Sequence, residues 1–397
     1  PSQVPQDKRV TILGAGLAGC SMAHHLAKRG WEVHVLDRAK DPASGASGNR
    51  GGILFPYFSA HHDPMSQYYW SGFFHILREW RELSRQGKRI AGEQPGLIFL
   101  EQKAGDGRRF KKIVETFSHA EDLVRAVSSQ EASALFGNPL ERGGLFLKAG
   151  AWLRPPDLCR AWLDHPAIHF HGEHALERLE FQEGWGPFHT PVLILANAWE
   201  AAQYPQTQWL PLAKARGQVT YLPSPGSSLQ GQCLLSFGGY WIPLPEGGVE
   251  CGATFERSNT SEEILKAGHQ KNLNQVKKFM GIDGSGADLS QLDGRVGFRT
   301  LTHDRWPVVG PVSPEKAFLK TYPGLGHGRK SFAKKPPYRE GLFLHTAHGS
   351  KGLLSTSLAS ELLASHLNGE PLPLPQKILA ALHPSRFLVK KAKIGSH

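Results

Sequence analysis

Apolar and polar positions along the chain fall into strand-like runs and helix-like stripes that alternate from the first residues onward. Val10-Thr11-Ile12-Leu13 is a short apolar run. It ends in Gly14-Ala15-Gly16-Leu17-Ala18-Gly19, after which Cys20 to Arg29 carries Met22, Ala23 and Leu26 on one side of a helix stopped by Gly30. Trp31 to Leu36 is a second strand, ending in Asp37. Tyr68 to Leu83 places Tyr69, Phe73, Phe74, Ile76, Leu77 and Trp80 at helical spacing, which predicts a core-facing helix. Leu97 to Leu100 reads as a strand, Pro155 and Pro156 are placed to open a helix over Asp157 to Leu163, and Val192 to Asn197 reads as a buried parallel strand. Gln218 to Leu222, Gly239 to Pro243 and Val249 to Phe255 predict antiparallel sheet, and Ser261 to Met280 predicts a polar helix. The last organised unit is a strand over Leu342 to Ala347, a turn at His348-Gly349-Ser350-Lys351-Gly352, and a helix lined by Leu353, Leu354, Leu358, Leu362 and Leu363.

The first strand, turn and helix form a Gly-x-Gly-x-x-Gly fingerprint. Gly14 permits the turn, Gly16 lets a pyrophosphate approach the backbone, and Gly19 lets helix and strand pack closely, so that the anion sits on the helix's positive N-terminus. Asp37 follows Gly19 by 18 residues, close to the roughly 20 expected of an acid on a ribose hydroxyl. Strand, turn, helix, strand and acid in register predict dinucleotide binding. The pattern does not separate FAD from NAD; its place near residue 1 leans towards FAD. The loop from Asp41 to Gly52 is rich in small residues that would let backbone lie against a large flat ligand, with Ser47 and Asn49 offering hydrogen bonds and Arg50 a cation.

A length of 397 residues predicts two domains. No apolar run approaches the ~20 residues of a membrane helix and residues 1 to 8 lack a signal-peptide pattern, so the expectation is a soluble cytoplasmic protein. Cys20, Cys159, Cys233 and Cys251 form no C-x-x-C pair, which argues for buried, reduced thiols and against a zinc site. His61-His62-Asp63 lacks a metal-binding frame, and no metal is expected. Charge adds a partner to the picture. Lys and Arg outnumber Asp and Glu by 46 to 35, and the excess is clustered, notably at Arg329-Lys330 with Lys334-Lys335 and at Lys390-Lys391 with Lys393. Such clustering points to a polyanion such as RNA.

The order of the N-terminal fingerprint, Gly45-Ala46-Ser47-Gly48-Asn49-Arg50, Gly297-Phe298-Arg299 with Asp304 and Pro307 to Gly310, and Gly349-Ser350-Lys351-Gly352 resembles the D-amino-acid oxidase superfamily of FAD amine oxidases. With Gly150 to Pro155, Gly217-Gln218-Val219 and the basic ending from Leu382 to Lys393, the chain is most similar to the FAD-dependent oxidoreductase module of the MnmC family, bifunctional enzymes of tRNA 5-methylaminomethyl-2-thiouridine synthesis. The resemblance implies an α/β fold like D-amino-acid and glycine oxidases: a Rossmann-like FAD-binding domain (1–85, 151–212 and 296–384) interleaved with an antiparallel-sheet substrate domain (86–150 and 213–295), then a basic tail, 385–397. It implies FAD held by Gly14, Gly16, Leu17, Ala18, Gly19, Asp37 and Arg38, by Ala46, Ser47, Asn49, Arg50, Gly51 and Gly52, and by Gly349, Ser350, Lys351, Gly352 and Leu353.

The implied reaction is oxidation of the 5-carboxymethylaminomethyl group of the wobble uridine of tRNA, giving 5-aminomethyluridine and glyoxylate. Arg299 matches the superfamily's substrate arginine and is the candidate clamp for the carboxylate, since a guanidinium grips one bidentately. Tyr240 is a second candidate, offering a hydroxyl from the sheet. Lys351 stands where many relatives carry arginine; it keeps the charge and loses the fork. Lys330, Lys334, Lys335, Lys390 and Lys391 are the candidate RNA contacts. A methyltransferase module or protein is the expected partner, and with one nucleotide fingerprint on the chain the expectation is a stand-alone oxidoreductase or an excised half, working as a monomer. The alternative is a small-molecule amine oxidase for glycine or sarcosine, which has no need of the basic clusters; a flavin-binding RNA scaffold without turnover is a third reading, which Arg299 and the flavin loop oppose.

Overall fold

In the computed structural model, residues 6–117, 123–223, 231–282, 288–323, 325 and 334–394 are described. The chain divides into two compact units, 1–44 with 159–214 and 299–397, and 45–158 with 215–298. Beside the sequence division, residues 45–85, 151–158 and 296–298 cluster with the second unit, and residues 213–214 and the basic tail cluster with the first. There its helix Arg386–Ile394 is held by Arg386, whose Nε donates to Asp304 at 2.8 Å.

The first unit is built on a six-stranded sheet in the order Val308–Pro311, Leu342–Thr346, Val192–Leu195, Arg9–Leu13, Glu32–Leu36, Ile168–His171. All neighbours are parallel except Val308–Pro311, which runs antiparallel to Leu342–Thr346. Val192–Leu195 is buried at every position, as a strand covered on both faces must be. The helices Leu17–Ala27 and Gly352–Leu367 pack against each other and are buried almost all round. Ser21, Ser357 and Ser360 are therefore buried along with the apolar positions the sequence singles out.

The second unit holds an eight-stranded sheet in the order Asp293–Leu301, Ala213–Leu222, Val249–Gly252, Tyr240–Pro243, Leu234–Ser236, Leu97–Leu100, Gly144–Leu147, Val124–Val127. The antiparallel expectation holds from Ala213–Leu222 through Leu234–Ser236, but that last strand pairs in parallel with Leu97–Leu100. A small three-stranded sheet joins Gly52–Leu54, Ala151–Leu153 and Gly92–Glu93.

Two local differences from the sequence reading have identifiable causes. The helix expected from Ser261 starts at Lys266. Fully buried Arg216 takes the carbonyls of Ser261 and Glu263, and the Gln218 side chain takes the N–H and C=O of Leu265, so 261–265 cannot spend those groups on a helix. Phe74 is 47% exposed although Phe73 is buried, because it falls at helical spacing with exposed Ser71 and Arg78 on the solvent side. Asp63, beside the His61-His62 pair, is the N-cap of the helix Pro64–Arg85, accepting from the N–H groups of Met65 and Ser66 at 3.0 Å. All four cysteines are free and buried. Among the described residues no helix is long and apolar enough to cross a membrane.

Candidate active site

In the first unit the fingerprint closes as a turn that only glycine permits. Gly14 has φ +106° and a Cβ there would lie 2.7 Å from the backbone of Ala196. A Cβ on Gly19 would lie 1.7 Å from the Gly14 carbonyl oxygen. Gly16 is the N-cap of the helix Leu17–Ala27 and has no side chain of its own to cap the first turn, where a helix presents its positive end. Asp37 accepts from Ala15 N–H at 2.6 Å and from Ala39 N–H at 2.8 Å, so its carboxylate sits against the turn itself. Arg38 forms an ion pair with Glu200.

The second helix entrance lies in the same unit. Gly349 has φ +58°, its N–H donates to the Thr300 carbonyl at 2.9 Å, and Thr300 is the neighbour of Arg299. A Cβ on Gly352, the first residue of its helix, would touch Leu17, the first residue of the other, at 3.4 Å. Two helix N-termini thus meet, and their partial positive charges add. Lys351 is the N-cap of the second, half-buried, and burial pushes its ammonium down to about 8.

Behind that turn lies a buried chain of side chains. His345 Nδ1 and His348 Nε2 are 2.9 Å apart, His345 Nε2 meets Ser360 Oγ at 2.8 Å, and His348 Nδ1 meets Ser355 Oγ at 2.8 Å. Ser355 spends its proton on the Lys351 carbonyl, so it accepts from His348 Nδ1–H; His348 Nε2 then accepts from His345 Nδ1–H, and Ser360 donates to His345 Nε2. Both imidazoles are held neutral, and burial pushes His345 down to about 3 and His348 in the same direction. An unfolded chain protonates its histidines near 6.5, so stability from this pair is complete above that pH and lost as pH falls towards the folded value. Tm should drop between pH 7 and 5, and less steeply in His348→Gln; equal slopes would remove the pair from the acid response.

In the second unit the loop from Ala46 to Gly52 is pinned at several points. Arg50 pairs with Asp293 at 2.7 Å and lies 4.0 Å over the Tyr221 ring, so the cation offered by the sequence is already engaged. Gly51 N–H donates to Glu250 Oε2 at 2.8 Å, and Ala46 lies where a Cβ on Gly297 would come within 3.2 Å. Glu250 is fully buried and its other oxygen accepts from the Tyr240 hydroxyl at 2.7 Å. Burial raises its carboxyl to about 7, against the pull of Tyr240, the loop N–H groups and the Arg295 guanidinium. Strand alternation puts Arg295, Gly297 and Arg299 on one face of Asp293–Leu301, with Arg299 half-buried.

A profile of the family described as FAD dependent oxidoreductase matches residues 9–366 of the chain. The chain belongs to that family. Its fold is that of amine oxidases: glycine oxidase from Geobacillus kaustophilus superposes with a TM-score of 0.76 at 19% identity, covering 96% of this chain and 99% of that one. Iminodiacetate oxidase from Chelativorans sp. gives 0.72 at 23% identity, covering 95% and 100%. The bifunctional protein MnmC of tRNA 5-methylaminomethyl-2-thiouridine biosynthesis from Stutzerimonas stutzeri is 36% identical over 411 aligned positions, covering 100% of this chain and 61% of that protein. The homologous protein of Pseudomonas putida is 35% identical, with 98% and 61% covered. The chain thus spans about three-fifths of the relatives it matches.

The residues of this FAD-dependent oxidoreductase fit its cofactor, since the Gly14–Gly19 turn leaves no room for side chains and the first-turn N–H groups of two helices converge beside it. Glu250, Tyr221, Arg295 and His345 have no role in the sequence reading, and His348 enters it only as part of the turn. A lone carboxylate inside the otherwise apolar strand Val249–Gly252 was the available signal.

Proposed function

We propose that the chain carries out the FAD-dependent oxidation of the 5-carboxymethylaminomethyl group of wobble uridine in tRNA, leaving 5-aminomethyluridine and glyoxylate for a methyltransferase module or protein. The observation that carries this reading is identity of 33–36% along essentially the whole chain to proteins named for tRNA 5-methylaminomethyl-2-thiouridine biosynthesis. The substrate side chain is an N-substituted glycine. Arg299 grips its carboxylate, which fixes the α-carbon for loss of its hydrogen. FAD supplies the acceptor for the hydride, and water hydrolyses the resulting imine. The Gly14–Gly19 turn and Asp37 would hold the dinucleotide, with the loop 46–52 and residues 349–353 as further candidate contacts, and Lys351 would set a positive charge at its helix entrance. The same proposal takes the chain to be cytoplasmic and monomeric.

The basic residues support an RNA partner. In the first unit the helix Arg386–Ile394 packs on the helix Glu315–Thr321, and Tyr322 donates to the Lys334 carbonyl at 2.9 Å. Exposed Lys316, Lys320, Lys334, Lys335, Lys390, Lys391 and Lys393 therefore gather in one region, where Lys391 pairs with Glu315. Lys330 lies outside the described residues. Charge reversal at Lys334 and Lys390 should weaken tRNA binding and lower the slope of log K against log salt by about 1 to 2, with flavin content unchanged. Unaltered affinity and slope would remove this face from the reading.

The deciding experiment measures glyoxylate released by the purified protein from tRNA bearing 5-carboxymethylaminomethyluridine and, in parallel, from sarcosine and glycine. Release from tRNA at far lower substrate concentration is the expected result. Turnover of the free amino acids with tRNA inert would favour a small-molecule amine oxidase.

A further inference from the structure

The substrate's secondary amine is protonated in water near neutral pH, and a protonated amine has no lone pair to expel hydride. Building on the amine oxidation proposed above, we propose that Glu250, acting through the hydroxyl of Tyr240, takes up the proton that the substrate ammonium must lose. Tyr240 is the group that meets the amine. Its one proton is donated to Glu250 Oε1 at 2.7 Å, so its oxygen can meet a further polar group only as an acceptor. An ammonium N–H is such a group; a carboxylate is not. The transfer balances in one step: the N–H bond breaks as a new Oη–H bond forms, and the old Oη–H bond breaks as the proton passes to Oε1. The phenol is unchanged, the carboxylate becomes a carboxylic acid, and the amine gains its lone pair.

Glu250 is placed for this by the sheet. It stands directly across from Tyr221 on one side and Ile242 on the other, with Tyr240 diagonal to it on the same face. That face packs in a cluster with Val219, Leu234, Leu244 and Trp152, and nothing there but polar neighbours justifies a carboxylate. The charged and titratable groups facing it are Tyr221, Tyr240, Arg295 and the Arg50–Gly51 backbone, with Cys251 next along the strand. Gly51 N–H holds Oε2, which leaves Oε1 aimed at Tyr240. A purely structural acceptor for two N–H or O–H donors needs no charge and no burial penalty; a carbonyl would serve. Its carboxyl, raised to about 7, sits where it can both take and release a proton at neutral pH.

The test is anaerobic flavin reduction by tRNA bearing the modified uridine, followed from pH 5.5 to 9.5 in flavin-saturated wild type, Glu250→Gln, Tyr240→Phe and the double variant. Wild type should lose rate below pH about 7, as the acceptor fills. In each single variant the acid limb should move up to the amine's own pKa. The rate at pH 7 should fall ~100-fold or more and approach wild type at the alkaline end, with the double variant no worse than either single. Independently of turnover, Tm of wild type relative to Glu250→Gln should fall as pH rises from 5 to 8, since a carboxyl raised by folding destabilises as it ionises. A loss of rate equal at every pH, an unmoved acid limb, or a flat Tm difference would overturn the relay. Wild-type flavin that tRNA does not reduce at any pH would instead overturn the oxidation reading on which it rests.

Discussion

Gly19→Ala should purify colourless. A methyl group at that position would stand 1.7 Å from the Gly14 carbonyl oxygen, and a backbone atom cannot step aside as a side chain does. The turn must open. Doing so strains the Gly14 N–H to Leu36 bond and the Ala15 N–H to Asp37 bond, which together set the path of the turn. Overpacking of this kind costs about 3 kcal/mol, which is ~100-fold in Kd if it falls on the bound state. The ratio of visible flavin absorbance to protein absorbance reads the result directly. Gly30→Ala is the control: its φ is +78°, so it is strained, but nothing lies within 4 Å of the added carbon. It should lose some Tm and stay yellow. A yellow Gly19→Ala protein with wild-type Tm would mean that this turn does not hold the cofactor.

Arg299→Ala should keep its flavin and lose kcat/KM for the modified tRNA on the order of 10³-fold, since removing the partner of a desolvated carboxylate costs ~4 kcal/mol. The loss follows from chemistry and position. Arg299 is half-buried at the end of a strand, one residue before the carbonyl that holds Gly349 N–H. Arg299→Lys should recover a minor part, because a point charge replaces a fork that matches both carboxylate oxygens. Arg295→Ala separates the two arginines that share this strand face. Its guanidinium faces Tyr221 and Glu250 and is pulled below its usual range by burial, so its removal should shift the pH profile more than the affinity for substrate. Turnover of Arg299→Ala within threefold of wild type would take the carboxylate clamp away from this residue.

The parts legible in the sequence are those whose causes lie close together along the chain. Gly14 to Asp37 could be read because turn, helix and following strand are consecutive, and each glycine answers to a neighbour a few residues away. Tyr240 was legible as a sheet hydroxyl, but its function depends on Glu250, Gly51 and Arg295, which converge from three separate segments. The same distance in sequence hid the start of the helix at Lys266, which is set by Arg216 some fifty residues earlier taking the carbonyls of Ser261 and Glu263. Residues 45–85 read as a continuation of the nucleotide-binding segment because the chain is continuous there. Packing places them elsewhere: the loop to Gly52 is fastened by Asp293 and Glu250, so it clusters with the sheet that carries those residues. His348 was noticed without a role, since the role is a tautomer chain through His345, Ser355 and Ser360 that no spacing announces.

A reduced flavin that hands its electrons to oxygen makes hydrogen peroxide beside its own polypeptide, and the state of the cysteines bears on how long such a catalyst lasts. Peroxide attacks thiolate, not thiol. All four cysteines are buried, and burial raises Cys233 and Cys251 to about 12 and Cys20 in the same direction. On those three the anion is therefore scarce at neutral pH, and all four sulfurs are shielded from solvent. The protein should pass through many turnovers without sulfenic acid accumulating on its thiols, and exhaustion under sustained turnover will come from some other part of the molecule.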